Sequence, residues 1–215
     1  TGPDRRSGRG KNRTSSNLKQ YCLEQNITIR QPETLKNNEL EQTIIEAFDA
    51  DIGVVVAYGN LLPLRVLQSF KYGCINIHPS MLPKYRGPSP VISALLNGEK
   101  ETGVSIIQLD EGMDSGPILM QKPVSINENH DSLALTNTLF DIGGTMLLET
   151  ISLIGSGNQT FTPQKDNEAS YTRKISKSDG DINWSLPAAE INRIQTMEWV
   201  YNFHLPEKGE YLHFE

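Results

Sequence analysis

Cysteine is scarce in this sequence. Only Cys22 and Cys74 occur among 215 residues, and they form no CxxC pair. That leaves neither a disulfide framework nor the paired thiolates of a structural zinc site, and no metal is expected. Cys74 sits in the apolar run CINIH and Cys22 on the expected inner face of a helix. Both read as unpaired small hydrophobes, which points to a reducing compartment. No run of about 18 apolar residues occurs, so no transmembrane helix is expected. The phosphate-cradling patterns GxGxxG and GxxxxGKS/T are missing too. No GxSxG surrounds Ser80 or Ser89, which weakens a serine-hydrolase reading.

What is present is ordinary for a soluble globular chain. Hydrophobic residues make up 37% and charged residues 21%, enough apolar material for one sizeable domain or one domain plus part of another. The net charge of −6 argues against a general nucleic-acid binder. Its distribution is uneven. Residues 1–30 carry Arg5, Arg6, Arg9, Lys11, Arg13, Lys19 and Arg30 against Asp4 and Glu24, a local +5 that leaves −11 for the rest. On charge alone, this basic arm is either a solvated loop or a contact for phosphates. Its opening segment, TGPDRRSGRGKN, is turn-rich and has neither an initiator Met nor the apolar core of a signal peptide.

Helical and extended patterns alternate along the chain. Helices are expected from Ser15 or Ser16 to Gln25 (stripe Leu18, Tyr21, Cys22, Leu23) and over 38–48, 62–70, 89–98, 130–154 and 185–197. Gly143-Gly144 marks a point of close packing or a break in the long fifth helix. Strands are expected over 27–29, 52–57, 73–78, 102–109 and 118–124, with a short segment at 181–184. This alternation predicts an α/β domain with a mostly parallel sheet, whose ligands bind beyond the carboxyl ends of the strands.

Two loops at such ends carry candidate chemistry. Asn76 and His78, two apart on the strand CINIH, share one face, with Ile75 and Ile77 on the other. Pro79 and Pro83 then take the chain out of the sheet. Further on, LDEGMDSGPIL crowds Asp110, Glu111 and Asp114 around Gly112 and Gly116, glycines expected to supply positive φ. Each motif alone reads as a strand end or an acidic turn, and the second lacks EF-hand spacing. Together they suit transfer of a formyl group to an amine. An amide such as Asn76 can donate to the developing oxyanion. An imidazole such as His78 can assist proton transfer, and a carboxylate can set its protonation and relay the amine proton.

The run NIHPSMLPKYRGPSPVISALLNGEKETGVSIIQLDEGMDSGPIL closely resembles the signature region of the folate-dependent formyltransferases. That resemblance implies a Rossmann-like formyltransferase fold and a catalytic set of Asn76, His78 and Asp114. It selects Asp114 over Asp110, because the family's Asp lies in a GMDSG-type loop, here 36 residues after His78. It implies 10-formyltetrahydrofolate as formyl donor, with Ser80, Met81, Leu82 and Pro83 lining the folate pocket and Tyr58, Gly59, Leu61 and Leu62 along the pterin side. The loop SMLPKYRGPSP, the run VVVAYGNLLP and the basic arm further resemble members whose acceptor is methionyl initiator tRNA. Arg9 and Lys11, with Arg5 and Arg6 nearby, are then expected to contact tRNA. Tyr85 and Arg86 are left as structural or substrate-side. The alternatives are a formyltransferase for a small amine (a nucleotide sugar or glycinamide ribonucleotide) and a folate- or RNA-binding protein without turnover.

The resemblance also implies a strand-helix-strand unit preceding residue 1 and a small β-barrel following the linker. On that reading residues 1–172 form the catalytic domain, 173–197 the linker and 198–215 the start of the barrel. A monomer in the bacterial cytoplasm is expected, with the mitochondrial matrix as the alternative.

Overall fold

The computed structural model describes residues 1–7, 12–127 and 130–196. These fall into two units, one of residues 1–53 and 57–74, the other of 54–56 and 75 onward.

In the first unit, β1 (Arg5–Ser7) and β2 (Asn12–Thr14) pair antiparallel, with Arg6 opposite Arg13. Residues 5–7 and 12–14 of the basic arm are thus paired strands, which its turn-rich composition did not suggest. Helix α1 (Asn17–Glu24) starts at Ser16, whose side chain caps the Lys19 N–H. It buries none of its residues. Leu18, Tyr21 and Leu23 are exposed and Cys22 half-buried, so the expected inner face is not covered by described residues. Residues 27–29 form no strand: Asn26 turns the chain at φ 55°, and Ile27 is half exposed with no ladder partner among the described residues. Helix α2 (Glu39–Glu46) is capped by the Asn38 side chain. It is tied to α3 (Leu64–Leu67) by Arg65, which donates to Glu46 at 2.7 Å and Thr43 at 3.0 Å.

The second unit holds the sheet except for Gly53 and Cys74, the first residues of two of its strands. Its order is β3 (Gly53–Val56), β4 (Cys74–His78), β5 (Glu101–Gln108) and β6 (Ile118–Ser125). All five residues of β4 are buried, as are residues 102–107 of β5, which explains their near-continuous apolar runs. Burial pushes the Cys74 thiol up to about 11, so it stays protonated and unreactive. The α/β class and the Rossmann-like fold hold, but β5 runs antiparallel to both β4 and β6. The mostly parallel expectation fails here, and for the β5–β6 pair the reason is local. Nine residues, 109–117, join β5 to β6, too few for the helical crossover that a parallel pair needs. Pro123 is tolerated on β6 because this is the edge strand among the described residues, its outer side bridged at Ile118, to Thr162, and not at Pro123.

The 24-residue α5 (Ser132–Gly155) packs on this sheet, and α4 (Pro90–Leu96) packs against α5. Helix α5 is long and apolar enough by composition to cross a membrane. It buries Leu135, Leu139, Gly143, Met146, Thr150 and Ile154 as a stripe against the sheet. It is not broken at Gly143-Gly144. A Cβ on Gly143 would lie 2.6 Å from Ile77, so this glycine allows close helix-on-strand approach. After α5 come a loop, residues 181–184 without strand pairing, and α6 (Ala188–Gln195). The expected barrel start at 198–215 lies outside the described residues.

Candidate active site

Ile77 faces α5, so its neighbours Asn76 and His78 project from the opposite face of β4. There the register sets Asn76 opposite Ile107 and His78 opposite Ser105. It also sets Ile75 opposite Gln108, so the 109–117 loop leaves β5 at the end of β4 away from His78. The loop must fold back along the sheet to bring Asp114 to His78. It does: Asp114 Oδ2 lies 3.6 Å from His78 Nδ1.

The imidazole is nearly buried, at 4% exposure. Its Nε2 lies 2.9 Å from the Tyr85 carbonyl oxygen. A carbonyl only accepts, so Nε2 carries the hydrogen and Nδ1 faces Asp114. Burial pulls the His78 pKa below its ordinary value of 6.5, while Asp114 and the Tyr85 carbonyl push the other way. The neutral form therefore has its lone pair on Nδ1. Tyr85 orients the ring, and at 3.6 Å Asp114 acts on it through charge rather than a hydrogen bond.

Asp114 adopts φ 52°, so the left-handed residue of this loop is the aspartate and not Gly112 or Gly116. Those glycines relieve crowding instead: an added Cβ would meet the Ser115 side chain at Gly112 and the Gln108 carbonyl at Gly116. The Gly87 N–H donates to Asp114 Oδ2 at 2.7 Å. Asp110 is occupied inside its own loop, accepting from Gly112 N–H at 3.0 Å and Ser115 Oγ at 2.9 Å. Asn76 is 9% exposed, and its carboxamide makes no hydrogen bond among the described residues. A nearly buried amide without a protein partner is suited to meet a ligand oxygen.

The loop after His78 is held from below. Ser105 Oγ donates to Ser80 O at 2.6 Å and accepts from Leu82 N–H at 3.1 Å. Gln121 donates to both Ser105 Oγ and Leu82 O. Ser80 and Leu82 are buried, and Ser80 Oγ donates to Lys84 O at 2.7 Å. Met81 and Pro83 are half-buried and line a cavity of about 240 Å³ with Lys84, Tyr85, Glu99, Glu101, Thr102 and Glu168. None of Asn76, His78 or Asp114 lines it. In the other unit, Gly59 and Leu61 are exposed and Tyr58 and Leu62 half-buried, in the segment between β3 and α3. Arg9 and Lys11 lie outside the described residues; Arg5 and Arg6 lie on β1.

A family model described as formyl transferase matches residues 1–151. The chain belongs to the formyl transferase family. Relatives of this formyl transferase chain include the methionyl-tRNA formyltransferase of Chloroflexus aggregans, 44% identical over 194 residues, with 90% of this chain and 62% of that protein covered. That of Nitrosomonas europaea is 38% identical over 216 residues, covering 100% of this chain and 64% of that protein. The chain thus spans less than two thirds of the length of these relatives. Among solved structures, the sugar 3N-formyl transferase WlaRD, with dTDP and 5-N-formyl-THF, shares the fold at TM-score 0.68 and 24% identity, covering 88% of this chain and 65% of that one. An N-formyltransferase from Helicobacter canadensis, solved with folinic acid and dTDP-3-aminofucose, gives 0.66 and 25% over 84% and 64%.

Sequence reasoning missed several groups that build the site. The Tyr85 carbonyl and the Gly87 N–H are backbone groups, which no residue letter advertises. Ser105 left a faint signal as the polar member of the apolar strand VSII. Gln164, whose side chain donates to Asp114 O, is 50 residues from that aspartate.

Proposed function

We propose that the protein containing this chain transfers a formyl group from 10-formyltetrahydrofolate to the amino group of methionyl initiator tRNA. The observation that carries the reading is the His78–Asp114 pair, with Nε2 hydrogen-bonded to Tyr85 and Nδ1 turned to the carboxylate.

The steps follow from those positions. As the amine adds to the formyl carbon, negative charge grows on the formyl oxygen. The Asn76 N–H₂ donates to that oxygen, a contact worth about 3 kcal/mol in comparable sites. The amine must lose a proton, and neutral His78 can take it at Nδ1. The resulting imidazolium then faces Asp114 at 3.6 Å, a buried charge gaining its counter-ion at the moment it forms; as the bond from the formyl carbon to the donor nitrogen breaks, that nitrogen takes the proton from His78 and leaves as tetrahydrofolate, restoring the neutral ring. Asp114 Oδ2 stays aimed through Gly87 N–H. Folate along 80–83, and tRNA along the basic arm, complete the proposal. So do a monomeric state and a bacterial cytoplasmic location; the two free cysteines fit any reducing compartment.

The acceptor rests on the relatives, named methionyl-tRNA formyltransferases at 38–44% identity. A second reading, formylation of an amino sugar nucleotide, is favoured by the solved structures with dTDP or its aminosugar. The full-length protein, given 10-formyltetrahydrofolate and either charged initiator tRNA or a dTDP-aminosugar, decides between them. Turnover on the tRNA alone is expected; turnover confined to the sugar rejects the tRNA reading.

A further inference from the structure

We infer that Gln164 is a positioning residue for Asp114, anchored by the buried guanidinium of Arg86. Gln164 lies in the segment after α5, far from the catalytic loops in sequence. Its Nε2 donates to two carbonyls of the Asp114 loop, Asp114 O at 2.8 Å and Gly116 O at 2.7 Å. Its Oε1 accepts from Arg86 Nε at 3.0 Å. Both amide hydrogens and the amide oxygen are used. The ends cannot be exchanged, because the carbonyls need a donor and the guanidinium needs an acceptor.

Arg86 is 1% exposed. It also donates to Tyr171 OH at 3.1 Å and pairs with Asp166 at 2.9 Å. Asp166 is 84% exposed, so the ion pair contributes little. The better-fixed partner is Gln164, which is half-buried. The Arg86 backbone is pinned on both sides, its N–H donating to Ser170 O at 2.8 Å and its carbonyl accepting from Thr172 N–H at 2.7 Å.

Three consecutive residues therefore govern the pair. The Tyr85 carbonyl orients His78, the Gly87 N–H holds the Asp114 carboxylate, and Arg86 holds the amide that holds the Asp114 backbone. Asp114 needs that grip because it sits at φ 52°, a conformation an L-residue enters at some cost. Without Gln164, two carbonyls lose their donor and the loop can relax, taking the carboxylate off His78. Asp114 is the only carboxylate within 4.0 Å of the His78 ring nitrogens among the described residues, so the imidazole reports its position.

The inference rests on the proposed reading of the site, but its test does not need the acceptor to be known. Gln164→Glu keeps the acceptor for Arg86 and sets a carboxylate oxygen against the two loop carbonyls. In the full-length protein with ¹⁵N-labelled histidine, the His78 midpoint should fall further in Q164E, towards its position in Asp114→Asn. With the formyl acceptor, kcat should drop by about 100-fold, with KM for donor and acceptor little changed. Gln164→Met, uncharged and without donors, carries the same measurements if Q164E does not fold. A His78 titration unchanged from the parent overturns the inference, even if activity is lost. If neither variant folds, Gln164 is a residue of the fold and the positioning role is rejected. Failure of the parent to transfer formyl would count against the proposed function and leave the titration result standing.

Discussion

His78 is a histidine whose surroundings disagree about its proton. Burial favours the neutral ring, and Asp114 and the Tyr85 carbonyl favour the charged one, with burial the stronger. The sign has a consequence for stability. A folded pKa below 6.5 means that the unfolded chain binds this proton more tightly. The stabilisation from neutral His78 is complete above 6.5 and is lost as pH falls below it. Thermal melts taken downward from neutrality should show that loss, and His78→Gln should show less of it. The same shift should keep the acid limb of kcat/KM below 6.5. Asn76→Ala should lower kcat by roughly 100–1000-fold with little change in melting temperature, since its amide has no described partner to lose. A near-parental rate would remove Asn76 from the mechanism. At this scale the sequence pointed to the side chains Asn76, His78 and Asp114, and the structure brings Asp114 to 3.6 Å from His78. The sequence was silent at the Tyr85 carbonyl and Gly87 N–H, because every residue but proline has both groups.

Secondary-structure elements show a similar division. The patterns predicted β4, β5, β6, α2, α4 and α5 to within a few residues, because each pairs a strong apolar period with a cap or a breaker. They failed where neighbours decide the outcome. Residues 27–29 (Ile27, Thr28, Ile29) are all β-branched but find no ladder among the described residues. The direction of β5 depends on which strand accepts it, which composition does not encode. The two central glycines of α5 make this testable. A methyl on Gly143 would press on Ile77 and Val104, whereas Gly144 has open space. Gly143→Ala should cost about 1–3 kcal/mol of stability through overpacking. Gly144→Ala should instead stabilise by about 0.5–1 kcal/mol through lower helix-formation entropy. Urea unfolding of both variants checks the contrast, and equal effects would mean that α5 does not lie so close to β4.

Across the whole molecule, charge is divided between a basic N-terminal arm at +5 and a remainder at −11. If the arm meets tRNA phosphates, each contact releases counterions and contributes to the salt slope. Arg9→Ala should weaken tRNA use and lower the slope of log K against log salt by about one, while turnover at saturating tRNA holds. An unchanged slope would mean that Arg9 makes no phosphate contact. The clamp around Arg86 also acts at this scale. It joins residues 85–89, the 109–117 loop and residues 164–172, stretches up to 86 positions apart, through hydrogen bonds that share members. Such a set opens together rather than piecemeal. The Gly87 amide, bonded to Asp114, should therefore exchange its hydrogen with solvent at the same rate as the Thr172 amide. Two deuterium-uptake curves that coincide would make the Asp114 loop and the 164–172 segment one cooperative unit of unfolding.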